Sequence, residues 1–119
     1  MTTASLLATT VRPSPAALRP CRLSATWRQV GGPVQTALPA AVRGLSARGL
    51  CLLVRKPCLA RLIFVTLYDA EGKPVGTHLL WNRRCTRHAE RRCCLHGVFV
   101  QPLAYTELER LLPPDRERA

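Results

Sequence analysis

Between Asn82 and Gly97 the chain runs NRRCTRHAERRCCLHG, gathering five arginines, three cysteines and two histidines into one short stretch. Thiolates and imidazoles are the ligands zinc prefers, and four of them placed tetrahedrally make a closed structural site. Cys85-Thr86-Arg87-His88 and Cys93-Cys94-Leu95-His96 are two C-x-x-H pairs separated by four residues. Each pair offers one sulfur and one nitrogen to a single ion. Cys85, His88, Cys93 and His96 are therefore the candidate ligands of a structural zinc ion, which would help a small fold hold together and leave no position open for catalysis.

The arginines of the same stretch point to a second chemistry. Arg83, Arg84, Arg87, Arg91 and Arg92 surround a single acid, Glu90. A guanidinium fork grips phosphate oxygens bidentately, so a cluster of arginines suits a phosphate backbone better than isolated lysines do. If the stretch is helical, Arg84, Arg87 and Arg91 fall at i, i+3 and i+7 and form one stripe along such a backbone. These five arginines are the candidate nucleic-acid-binding residues. The formal charge of +11 and the pI near 10.7 point to the same class of partner, a polyanion such as RNA, ahead of DNA, or an acidic protein surface. Aromatic residues make up only 5% of the chain, which argues against a surface of many base-stacking rings.

Two motifs in the stretch have known counterparts. The twelve residues from Cys85 to His96 are similar in length to a zinc knuckle, although the ligand order Cys, His, Cys, His differs from the knuckle's Cys, Cys, His, Cys. His88-Ala89-Glu90 resembles the H-x-E element of zinc-dependent nucleoside and nucleic-acid deaminases, a resemblance that implies a zinc-binding His88 and a proton-handling Glu90. The deaminase pattern also needs a later P-C-x-x-C element; no cysteine lies beyond Cys94 and no proline precedes Cys93 directly. The resemblance therefore implies an inactive remnant at most. No nucleophile elbow, Gly-rich phosphate loop or carboxylate pair is present, so the sequence is read as non-enzymatic.

The elements that would position these residues are short. Arg61–Tyr68 is dense in β-branched and aromatic residues, Asp69–Pro74 supplies turn formers, and Val75–Trp81 is a second apolar run, which together predict a β-hairpin. Ile63, Val65 and Leu67 share one face and Leu62, Phe64, Thr66 and Tyr68 the other, so the first strand belongs inside its sheet. A third strand is expected at Leu95–Val100. A short helix is expected at Thr106–Leu112, capped by Thr106 and stopped by Pro113-Pro114, with Leu108, Leu111 and Leu112 on the sheet. The expected fold class is α+β: a small three-stranded antiparallel sheet with one C-terminal helix, preceded by a mostly disordered basic arm.

That arm is residues 1–45, with the α+β domain at 46–119. No Asp or Glu occurs from Met1 to Tyr68, while arginines recur throughout. Acid-poor, Arg-rich and Ser-containing N-termini characterise mitochondrial transit peptides. Leu23, Trp27 and Val30 lie at helical spacing, and Arg43-Gly44-Leu45-Ser46-Ala47 resembles a matrix-peptidase site, so cleavage would leave a chain starting near Ser46. Pro13, Pro15, Pro20, Pro33 and Pro39 keep any arm helix short. The expected location is the mitochondrial matrix, with the cytoplasm as the alternative. Leu50–Tyr68 is broken by Arg55, Lys56, Pro57 and Arg61, so it does not form an apolar membrane span. The function expected from these features is that of a small RNA-associated accessory protein, such as one of mitochondrial translation. The alternatives are a mitochondrial structural or assembly factor with a protein partner, a deaminase-like remnant, and an unevolved reading frame.

Overall fold

The computed structural model describes residues 17–31, 37–89 and 91–113. Six strands and one helix follow in chain order: β1 Arg19–Gln29, β2 Leu38–Leu45, β3 Gly49–Val54, β4 Leu62–Tyr68, β5 Pro74–Ala89, β6 Arg92–Phe99 and α1 Tyr105–Leu111. All pairings are antiparallel, and the strands close into a barrel in the order β1-β2-β3-β6-β5-β4. Strands β4, β5 and β6 are joined by hairpins and β3 lies beside β6, which is a Greek-key arrangement. The expected three-stranded sheet is thus corrected to a closed six-stranded barrel.

The added strands come from the segment read as an arm. From Cys21 to Arg28, Cys21, Leu23, Ala25 and Trp27 alternate with Arg22, Ser24, Thr26 and Arg28, the period-two pattern of a strand with one buried face. Ala25 and Trp27 are buried while Arg22, Ser24 and Arg28 are exposed. The helical spacing of Leu23, Trp27 and Val30 is incidental to that alternation. β1 hydrogen-bonds to β2 along one edge and to β4 along the other, where Ala25 faces Leu67 and Gln29 faces Ile63, and this seam closes the barrel. A domain boundary at residue 45 would cut between the second and third of six strands. Residues 1–16 and 32–36 of the expected arm lie outside the described residues, as do residues 114–119.

The interior is filled by one layer of apolar side chains from every strand: Ala25 and Trp27, Val42 and Leu45, Leu50 and Leu52, Ile63, Val65 and Leu67, Leu80, and Leu95 and Phe99. The predicted hairpin is present, and its first strand shows the expected alternation: Ile63, Val65 and Leu67 are fully buried and their neighbours half-buried. Register shifts interrupt four of the strand pairs, including one between Asn82 and Arg84 in β5. Such bulges add local twist and bend, which a sheet of few strands needs in order to close. At two positions only a glycine fits. A Cβ on Gly49 would lie 2.5 Å from the Gly97 carbonyl oxygen, and one on Gly97 would run into the Leu80 side chain.

Helix α1 is the predicted one, starting a residue earlier than expected. Ala104 rather than Thr106 is the N-cap, and its backbone N–H donates to Glu107 Oε1 at 3.0 Å. Leu111 is buried, and Leu108 and Leu112 pack against the core as expected. No helix among the described residues is long and apolar enough to cross a membrane.

Candidate functional site

Strands β3 and β6 are neighbours, and each sends alternate residues to opposite sides of the barrel wall. Leu50, Leu52 and Val54 of β3 and Leu95 and Phe99 of β6 point into the core. The residues between them, Cys51, Cys94 and His96, therefore share the outer face. The register sets His96 opposite Cys51 and Cys94 opposite Leu53. The two sulfurs and an imidazole nitrogen all lie within 4.8 Å of one another, and the sulfurs are 2.6 Å apart.

These three residues could hold a metal ion. Three protein ligands leave the fourth tetrahedral position open, unlike a closed four-ligand site. Cys51 is buried, and that burial pushes its thiol up to about 12; the hydrogen bond and charge of Cys94 act in the same direction, and the Arg43 guanidinium opposes them. Cys51 therefore keeps its proton at neutral pH unless an ion displaces it. Arg84 and Thr86 of β5 stand opposite His96 and Cys94 on the other side of β6, so the trio lies between Arg43 and Arg84 on one continuous outer surface.

The four ligands expected from the sequence are not brought together. On a regular strand residues three apart face opposite ways, so Cys93 and His96 are split across the barrel wall, while a register shift at His88 interrupts the alternation after Cys85. Cys85 faces Leu95 and Cys93 faces Arg87, and both cysteines pack against the core. Burial raises the Cys93 thiol, the nearby Cys85 raises it further, and Arg87 pulls the other way. His88 is exposed near the end of β5. Only His96 belongs to the metal-competent trio. Its partners Cys94, two positions away, and Cys51, from the neighbouring strand, were not among the expected ligands. Glu90, the expected proton-handling residue of the deaminase-like element, lies outside the described residues.

The arginines are redistributed in the same way. The stretch is a β-hairpin rather than a helix, so Arg84, Arg87 and Arg91 form no stripe. Ala89 pairs with Arg92, and Arg91 takes a positive φ of 59°. Arg92 instead joins Arg22 of β1 and Arg43 of β2 around an open groove of ≈ 340 Å³ floored by Leu23, Ala41, Val42 and Leu53. Arg83 lies on the other side of the trio, lining a depression with Arg48 and His96. Of the five expected arginines, Arg92 reaches the groove; Arg22 and Arg43 were missed because their segment was read as an arm.

No carboxylate stands on β1, β2 or β3, since no acid precedes Asp69. The ion pairs among the described residues are His78–Glu107 and Asp69–Arg110, which tie α1 to β5 and to the residue that follows β4. The groove is thus ringed by guanidinium groups with no counter-charge from the strands beneath it. Comparison of the chain with models of known protein families gives no match, and comparison with curated proteins gives none.

Proposed function

We propose that this protein is a small, non-enzymatic RNA-associated protein that holds a phosphodiester backbone on the outer face of its barrel. The observation that carries the reading is the convergence of Arg22, Arg43 and Arg92, from three different strands, on one groove without a carboxylate on β1–β3. The paired strands fix the spacing of the three Cα positions, and the planar guanidinium fork loses less freedom per hydrogen bond to phosphate than a flexible ammonium does. Arg84 and Arg83 extend the basic surface past the trio, and the backbone would run across the strands. In this reading the metal held by Cys51, Cys94 and His96 is zinc, and its role is to fix β3 to β6 beneath the bound strand. Any mitochondrial address lies ahead of Arg19, because a cut at Ser46 would remove β1 and β2.

The test is binding of the full chain to a single-stranded RNA oligonucleotide across a salt series. Replacing Arg22, Arg43 and Arg92 together with Gln should weaken binding and flatten the dependence of log K on log salt by about two, roughly 0.7 per phosphate contact on a single strand. An unchanged slope would reject the groove. Binding to an acidic protein surface in place of RNA would support the assembly-factor reading instead.

A further inference from the structure

Cys51 and Cys94 are diagonal neighbours on the outer face of β3 and β6, with their sulfurs 2.6 Å apart. A disulfide bond is about 2.05 Å long, so bond formation asks the sulfurs to approach by about 0.5 Å. Two thiolates on one tetrahedral zinc ion, with bonds of about 2.3 Å, sit about 3.8 Å apart, so metal binding asks them to separate by more than 1 Å. Of these two reactions, bond formation needs the smaller movement. The other thiols are engaged elsewhere: Cys21 Sγ reaches the Val42 carbonyl oxygen at 3.8 Å and Cys58 Sγ reaches that of Ala60 at 3.9 Å. Cys85 and Cys93 pack against the core and hydrogen-bond to each other.

We propose that Cys51 and Cys94 are a reversible oxidation site, a dithiol that a peroxide converts to a disulfide linking β3 to β6. Cys94 is half-buried and Cys51 buried, so Cys94 meets the oxidant first. Its sulfur takes one peroxide oxygen as the O–O bond breaks, giving a sulfenic acid and one water. The Cys51 sulfur then attacks the Cys94 sulfur, the S–O bond breaks, and the hydroxyl leaves as a second water with the remaining thiol proton. The two thiols lose two electrons and the peroxide gains them. A small-molecule thiol reverses the reaction by exchange. The disulfide takes both thiolates away from His96, so the oxidised and metal-bound forms of the trio exclude one another.

The test uses the reduced full chain treated with stoichiometric hydrogen peroxide, followed by alkylation of remaining thiols and tryptic mapping without reductant. The expected product joins the Gly49–Arg55 peptide to the Cys93–Arg110 peptide, leaves the other four cysteines alkylatable, and disappears on adding a thiol. The link should persist in Cys93→Ser and be lost in Cys94→Ser, with circular dichroism confirming that both variants are folded. Cys51 remaining alkylatable while Cys94 oxidises to sulfinic acid would overturn the proposal, and so would a link mapped to Cys85 and Cys93.

Discussion

The two sides of the barrel treat charge in opposite ways. Around β4, β5 and α1, acids meet specific partners: Asp69 Oδ2 lies 3.4 Å from Arg110 Nη2, and Glu107 Oε2 lies 3.2 Å from His78 Nε2. Glu107 also accepts the Ala104 N–H through its other oxygen. These contacts bind the helix to the sheet. On the side built from β1, β2 and β3, arginines stand without a carboxylate on their own strands. An ion pair within the fold leaves little charge for a partner, whereas an uncompensated guanidinium is free to meet one. The same barrel therefore has a side whose charge is internal and structural, and a side whose charge is directed outward.

The sharpest way to break this comparison is to remove one side. Deleting residues 1–45 takes away β1 and β2, opens the barrel along the seams to β4 and β3, and exposes Ile63, Val65 and Leu67. The expected result is loss of any cooperative transition in thermal or urea unfolding. A cooperative transition in the remaining fragment would restore the α+β domain of residues 46–119.

On the acidic side the expected effects are smaller. Glu107→Ala removes the hydrogen bond to the Ala104 N–H and the contact with His78, and should cost about 1 kcal/mol in urea unfolding while leaving RNA affinity unchanged. A larger loss of affinity than of stability would show that the helix also meets the partner.

The smallest effect concerns Asp69. Its carboxyl is held below the usual carboxylate range, first by the Lys73 backbone N–H, then by the Glu71 N–H and Arg110, with desolvation opposing them. Because the folded value lies below the unfolded one, the stabilisation is complete above the unfolded carboxylate's pKa and is lost as pH falls through the folded value. Asp69→Asn should therefore lower stability slightly at neutral pH and flatten the acid limb of its pH profile. Matching acid limbs in the two proteins would sink the assignment.

How much of this was legible depended on which kind of strand was being read. β4 is apolar on both faces and bounded by a clear turn, and its place and alternation follow from its residues alone. α1 was equally readable from its leucines and the following prolines. β1 alternates just as regularly, but its outer positions are Arg, Ser and Thr and its inner ones include Cys and Ala, so charge obscured the period. Closure itself could not be read, because it depends on pairing between β1 and β4 across the chain. The candidate metal site was half legible. Cys94-Leu95-His96 has the i, i+2 spacing that puts two ligands on one face of a strand, whereas the C-x-x-H spacing that was followed suits a turn or helix. Cys51 could be found only from the β3–β6 register.

That register also sets a limit on how the protein can be made. β6 is the last strand among the described residues, yet it is inserted between β3 and β5, pairing Gly49 with Val98 and Leu80 with Phe99. A chain still emerging from the ribosome can form the β1–β2–β3 and β4–β5 hairpins in turn, but the wall keeps a gap until Phe99 is free. The facing edges of β3 and β5 stay unpaired until β6 emerges, so a nascent chain stalled before β6 exposes strand edges that chaperones cover.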